Sequence, residues 1–316
     1  MTRAAVATAF GGPEVLSIVE IDDVPPPGPG QVVVDVRAAG VNPIDYKLYS
    51  GAFGTDPSKL PMRLGLEAAG VVTAVGPDAV GPAGPVSVGD EVILFRVSGA
   101  YADRLLVPAA SVVPKPASLS WPAAAGLMLA GATAVHTLSA TGVGAGDTVL
   151  VHGGTGAVGM TAVQLARASG ARVIATASPA RHDLVRSLGA EPVAYGDGLE
   201  QRVRALAPQG IDAAIDTVGT DEALDTSVAL VADRGRIATI AGFGRGAELG
   251  IRLLGGGPGA DPGTELRDAA RLTLVKHVAD GSLVVPVAAT YPLADVRAAH
   301  EAAASSHAPG KIALIP

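Results

Sequence analysis

Residues 149–166 read VLVHGGTGAVGMTAVQLA, an apolar run, a cluster of glycines and a run of helix formers. Gly154, Gly156 and Gly159 satisfy G-x-G-x-x-G, behind a strand pattern and ahead of a helix pattern. Glycines permit the tight turn and close backbone approach. The helix that follows offers unpaired amide N–H groups and the positive end of its dipole, so residues 156–159 suit a pyrophosphate. The alternative is a glycine turn that only packs strand against helix.

The end of the next strand selects the nucleotide, because an acidic residue there would accept from the ribose 2′-OH of NAD. That position lies near residue 177, within ATASPARHD, and no acid stands on it. Ser178 can donate to a phosphate and Arg181 can pair with one, which favours NADP(H). The competing reading makes Ser178 a helix cap and Arg181 a solvated charge.

Other chemistries find less support. His136, His152, His182, His277, His300 and His307 form no H-x-x-x-H or H-E-x-x-H pair, although His300 and His307 fit one helical face. The HGG at 152–154 has no G-x-S-x-G nucleophile elbow to serve, which sets serine hydrolysis aside. The chain has no Cys, so disulfides and thiolate metal sites are excluded. A reducing, cytoplasmic setting is expected. A net charge of −7 argues against nucleic-acid binding, which needs clustered Lys and Arg, and points to a small-molecule partner.

The elements that must position the glycine turn change character along the chain. Up to residue 115 the signals are short β-branched runs bounded by Gly, Pro or Asp, such as QVVVDVRAA and DEVILF, with one helical patch at 42–51. After Ser120, an N-cap with Pro122 in the first turn, helices and buried strands alternate, which predicts a parallel sheet covered on both faces. Strands are expected at 149–152, 172–176, 192–195, 211–216 and 235–240, and helices at 157–169, 180–189, 199–207 and 221–232. Beyond Gly263 come a helix, VVPVAATYPL, a helix at 294–305 and a last strand, KIALIP. Residues 116–146 carry no charged side chain, but Pro122, Gly126, Gly131 and polar residues interrupt them, so a buried helix is expected and no membrane span.

The chain therefore reads as α/β, with residues 1–121 and 260–316 forming a β domain and 122–259 a central Rossmann domain. The stretches AAGVNPIDYKLYSGAF, LGLEAAGVVTAVG, VGDEVILF, GATAVHTL, VLVHGGTGAVGMTAVQLARASGARVIATAS, IDTVG and GKIALIP, in this order, resemble the zinc-independent quinone oxidoreductase family of the medium-chain dehydrogenase/reductase superfamily. That resemblance implies a GroES-like β domain built from both chain ends around a doubly wound Rossmann domain, and a homodimer. Two departures stand out: one glycine rather than two precedes Val158, and a residue is missing before Tyr195. The zinc-dependent branch would place a His where this chain has Leu66, beside Glu67. With no Cys either, hydride transfer is expected without a metal.

By resemblance, Asn42, Asp45, Tyr46 and Lys47 are the catalytic candidates, with Tyr46 or Lys47 donating to a developing oxyanion. They would line the nicotinamide end of a dry cleft between the domains. The alternative has Asn42 and Asp45 capping a short helix, Tyr46 in the core and Lys47 in solvent. NADPH contacts are expected from Thr133, Gly154, Gly156, Ala157, Val158, Gly159, Ser178, Arg181, Tyr195, Thr217, Val218, Ala241, Gly242 and Phe243. The implied reaction is hydride transfer from NADPH to a quinone or an α,β-unsaturated carbonyl. The stretch GMTAVQLARASGARVIATASPARHD also resembles enoyl-thioester reductase domains of polyketide synthases, and a non-catalytic NADPH-binding redox sensor or structural protein is a third possibility. The glycine-rich loop 244–263 fits the family least.

Overall fold

A computed structural model describes residues 1–305 and 309–316; His307 lies outside them. The chain divides into two compact units: Met1–Leu129 with Arg271–Ala279 and Val285–Pro316, and Ala130–Ala270 with Asp280–Val284.

In the first unit, β1 (Thr2–Ala7) lies between β2 (Leu16–Ile21) and β4 (Met62–Arg63) in a three-stranded antiparallel sheet. The larger sheet is organised by β3 (Gln31–Val41), which leads into α1 (Pro43–Tyr49). One edge of β3 pairs with β5 (Glu67–Val75). The other edge is shared by β9 (Arg104–Pro108) along its first half and β18 (Lys311–Ile315) along its second. Outward from β5 lie β8 (Glu91–Phe95) and β10 (Val112–Pro114), and outward from β18 lies β17 (Val287–Pro292). A two-residue hairpin, β6 (Val80–Gly81) and β7 (Gly84–Pro85), completes the strands.

The register of β3 against β5 shifts twice, and there Gly70 allows the close approach: a Cβ on it would sit 2.2 Å from the Asp35 carbonyl oxygen. The core gathers Val32, Val34, Val36, Leu64, Leu94, Tyr101, Ile312 and Leu314, inward residues of alternating strands. Helices α2 (Trp121–Ala125) and α10 (Val296–Ala304) pack on this sheet.

The chain enters the second unit within α3 (Met128–Thr141). There β11 (Thr148–His152), α4 (Ala157–Ala168), β12 (Arg172–Thr176), α5 (His182–Ser187), β13 (Glu191–Val193), α6 (Leu199–Leu206), β14 (Ala213–Asp216), α7 (Asp221–Leu230), β15 (Ile237–Thr239), α8 (Phe243–Glu248) and β16 (Arg252–Leu253) alternate. The strands run parallel in the order β13-β12-β11-β14-β15-β16, the doubly wound arrangement whose order reverses beside β11. Helix α9 (Thr264–Ala279) carries the chain back to the first unit.

Three sequence expectations need correction. The buried helix expected within 116–146 is two helices, α2 and α3, separated at Gly126, where a Cβ would sit 2.7 Å from Lys311 Cγ. The units divide at Leu129/Ala130 and Ala270/Arg271 rather than at 121/122 and 259/260: α2 packs on β3, β5 and β18, and the second boundary falls within α9. The segment 244–263 is not all loop: α8 covers its start, and β16 joins the sheet as its edge strand. Among the described residues, no helix is long and apolar enough to cross a membrane.

Candidate functional site

The glycine turn connects β11 to α4 and is tied to the end of β12. The Gly153 N–H donates to Thr176 Oγ1 at 2.9 Å and the Gly154 N–H to the Thr176 carbonyl at 2.9 Å. Three glycines here answer to different constraints. Gly153 holds φ +79°, and a Cβ would press on Thr217 and Val218. Gly159 packs the helix onto the turn, since a Cβ there would lie 2.1 Å from the Gly153 carbonyl oxygen. Gly156 is exposed, and its added Cβ would meet only that same oxygen, at 3.5 Å, so its backbone is open to a ligand.

Gly156 is the N-cap of α4 and brings no side-chain cap. The first intrahelical hydrogen bond of this end runs from Met160 N–H to the Gly156 carbonyl. The amides of Ala157, Val158 and Gly159 thus stand in the first turn, where a helix has no acceptors of its own and favours an anion. Sequence reasoning missed Gly153, whose only signal was the doubled glycine after His152.

Around this turn the strand ends are organised by Asp216, the buried last residue of β14, which the sequence reading passed over. Its carboxylate accepts from the Val218 and Gly219 amides, all at 3.0 Å, and from Thr239 Oγ1 at 2.6 Å. Thr239 Oγ1 in turn accepts from the Ala241 and Gly242 amides. One buried carboxylate therefore shapes both 217–219 and 241–242. Thr217 Oγ1 donates to the His152 carbonyl at 2.7 Å. His152 is buried and held by Ser227, and burial pushes its pKa down to about 4, so it serves the fold as a neutral ring.

The remaining expected cofactor residues lie in this second unit. Thr133 is buried on α3. Ser178 follows β12 and heads a short 3-10 turn, Pro179–Arg181, without a side-chain cap bond, so its hydroxyl is not used as the cap the sequence allowed; Arg181 closes that turn, half-buried. Tyr195 and Val218 are exposed at the ends of β13 and β14, and Phe243 opens α8 behind Gly242.

In the first unit, Asn42 and Asp45 form a capping box at the start of α1. They also belong to a buried network. The Asn42 side-chain amide donates to Glu67 Oε1 at 2.9 Å, and Lys311 Nζ donates to Glu67 Oε1 at 2.9 Å, to the Val41 carbonyl and to Asn42 Oδ1. Glu67 Oε2 accepts the Leu129 amide at 2.8 Å. Lys311 is 3% exposed and Glu67 is fully buried, yet the ammonium uses three acceptors and both carboxylate oxygens are bonded. Such satisfaction is what allows an ion pair to be buried. Lys311 stands in GKIALIP, which read only as a closing strand; its bonds to Glu67, Asn42 and the Val41 carbonyl reveal its role.

Asp45 is fully buried and accepts from the Asn42 amide and from Tyr101 Oη at 2.8 Å. Burial pushes its carboxyl up to about 6 against these hydrogen bonds. Tyr49 Oη meets His300 Nδ1 at 2.9 Å, and burial lowers the His300 pKa to about 4, so this histidine is a neutral core partner. Tyr46 packs half-buried against the core, and Lys47 is half-buried on α1.

Comparison with known proteins agrees with this architecture. Residues 28–117 match the alcohol dehydrogenase GroES-like domain, and residues 157–255 match a family described as zinc-binding dehydrogenase. The chain is 34% identical over 249 residues to quinone oxidoreductase of Mus musculus, covering 76% of this chain and 73% of that protein. It is 34% identical over 311 residues to phthioceranic/hydroxyphthioceranic acid synthase of Mycobacterium tuberculosis, spanning 92% of this chain but 14% of the synthase. A mycobacterial structure complexed with NADPH superposes over 100% of both chains with a TM-score of 0.85 and 32% identity. The chain belongs to the quinone oxidoreductase family.

Within this family of medium-chain oxidoreductases, a zinc-binding description does not fit these residues. Leu66 offers no ligand, the chain has no Cys, and Glu67 is occupied by Lys311, Asn42 and Leu129. A catalytic zinc needs three protein ligands, and among the described residues no trio of His, Cys, Asp or Glu is grouped to supply them.

Two outcomes follow from the buried network of this quinone oxidoreductase relative. Lys311→Met keeps the aliphatic stem and strands the Glu67 charge, so urea unfolding should show a loss of about 3–5 kcal/mol; adding Glu67→Gln should recover part of it, and simple additivity would refute the pairing. The Asp45 carboxyl has a raised folded pKa, so its contribution is full below the ordinary carboxylate range and is lost as pH rises through about 6. The stability of Asp45→Asn relative to wild type should therefore climb between about pH 4 and pH 7, by on the order of 2 kcal/mol, and level off above; a difference that does not vary with pH would refute the assignment.

Proposed function

We propose that this chain is an NADPH-dependent oxidoreductase that passes hydride to an electron-poor acceptor, a quinone or the activated double bond of an enone or alkenal. The observation that carries this reading is the uncapped, exposed start of α4 beside a β12 end that offers Ser178 and Arg181 and no acid. NADPH in the mycobacterial neighbour supports it.

The bound cofactor supplies hydride from nicotinamide C4. The chain supplies the rest. Amides of Ala157, Val158 and Gly159 donate to the pyrophosphate around Gly154 and Gly156, and Ser178 Oγ and the Arg181 guanidinium hold the 2′-phosphate. Thr133, Tyr195, Thr217, Val218, Ala241, Gly242 and Phe243 flank the remainder, the loops among them held by the Asp216–Thr239 pair. Asn42 and Asp45 are buried and tied by hydrogen bonds through the Asn42 side-chain amide and Asp45 Oδ2, so their role is to position α1. Tyr46 Oη or Lys47 Nζ then donates to the oxyanion that develops on the acceptor. An acceptor whose charge delocalises makes a lesser demand for a Lewis acid than an alcohol would.

A second reading has its own observation. The similarity to the phthioceranic/hydroxyphthioceranic acid synthase extends across 92% of this chain, which favours an enoyl thioester, another activated double bond, as the acceptor. Following nicotinamide absorbance with a quinone, an enone and an enoyl thioester separates the two. Turnover of the thioester alone would replace the first reading by the second. NADPH uptake with no turnover of any acceptor would overturn the enzyme reading in favour of a redox sensor. For the nucleotide, Arg181→Ala should raise the NADPH Kd about 10- to 100-fold and leave NADH nearly unchanged, as befits a lost charge-assisted phosphate contact; equal losses for the two nucleotides would refute the 2′-phosphate assignment.

A further inference from the structure

The glycine-rich segment after β16 is built as a closed loop. Leu254 N–H donates to the Thr239 carbonyl at 3.0 Å, on the same residue whose hydroxyl holds the Ala241 and Gly242 amides. Asp261 then returns alongside: its N–H donates to the Leu253 carbonyl at 2.9 Å, and its carbonyl accepts the Gly255 N–H at 2.8 Å. These two bonds satisfy the Leu253 carbonyl on the outer side of the edge strand and the Gly255 amide just beyond it.

The far end of the loop is fastened to α3. Gly263, at φ +56°, lies on the ring of buried His136, where a Cβ would fall 2.3 Å from Cε1. Arg267 Nε donates to His136 Nδ1 at 3.3 Å, which leaves Nε2–H to donate to Asp261 Oδ2 at 3.3 Å. Asp261 Oδ1 accepts the Gly263 amide at 2.9 Å.

The middle of the loop touches one side chain of the proposed cofactor site. A Cβ on Gly257 would lie 2.5 Å from Phe243 Cδ2 and Cε2 and 2.6 Å from Cγ, so the glycine backbone is laid flat against that ring. No other residue type leaves both the loop path and the ring where they are. We propose that Leu254–Gly263, latched through His136, Asp261 and Arg267, is a positioning element that sets the Phe243 ring for the nicotinamide nucleotide, with Gly257 as the contact. This rests on the NADPH reading above and adds Gly257 and His136 as positioning residues for it.

A double-substitution cycle tests the idea, with the NADPH Kd read by nicotinamide fluorescence and thermal unfolding read in parallel. Gly257→Ala should push the ring aside and raise the Kd about 5- to 20-fold, while Phe243→Ala raises it by its own amount. The double variant should be no worse than Phe243→Ala alone, because the clash partner is gone. His136→Gln, which frees the loop without entering the contact, should also weaken NADPH, and less so in the Phe243→Ala background. A Gly257→Ala protein that unfolds early yet binds with wild-type Kd, or a double variant whose losses add, would overturn this inference and leave the cofactor reading standing. A wild-type protein that takes up no NADPH would overturn both.

Discussion

A helix that begins at an exposed glycine has amides in its first turn and no side chain to satisfy them, and the second unit is arranged around that condition. The turn can be so tight only because Gly153 enters a left-handed conformation and Gly159 lets the helix close onto the strand. It is held there by Thr176 at the end of β12, while Asp216 at the end of β14 collects the amides of the neighbouring turn and, through Thr239, those of the next. Strand ends that would otherwise splay are drawn to a common level, which is where an open parallel sheet receives its ligand.

The first unit solves a different electrostatic problem. A buried Glu67 must be neutralised, and Lys311, arriving on the last strand, does so while also bonding Asn42 and the Val41 carbonyl. The pair binds the C-terminal strand to the β3–α1 junction and to the start of β5. The carboxylate is spent on an ammonium, and the neighbouring Leu66 offers no ligand to a metal. Asp45 shares this interior with Tyr101, and its raised pKa reflects a carboxyl held mainly by the packing around it.

Much of this was legible in the residues. The G-x-G-x-x-G turn between a strand and a helix, the missing acid near residue 177, the five strands of the α/β stretch and the return of KIALIP to the β domain all follow from patterns of two, 3.6 and three glycines that local physics enforces. The helix starts were legible too, since Ser120 accepts the Ala123 amide and Asn42 and Asp45 form the box their spacing allows. What could not be read were partners distant in sequence. Lys311 sits 244 residues from Glu67, and Thr239 sits 23 from Asp216. Nothing in their flanking residues distinguishes them from a surface lysine and a strand threonine.

The sequence by itself determined the strand–helix alternation from β11 to β15, the glycine turn and the absence of thiolate chemistry, because these depend on backbone freedom and residue type within a few positions. The tertiary structure alone decided that Asn42 and Asp45 are enclosed, that Glu67 is paired rather than available, that Asp216 governs two loops, and that a segment read as plain loop carries a helix, an edge strand and a glycine against Phe243. Burial and hydrogen-bond pairing are properties of chains brought together across a sheet, and the energy of a buried charge is set by those neighbours rather than by the residue that carries it.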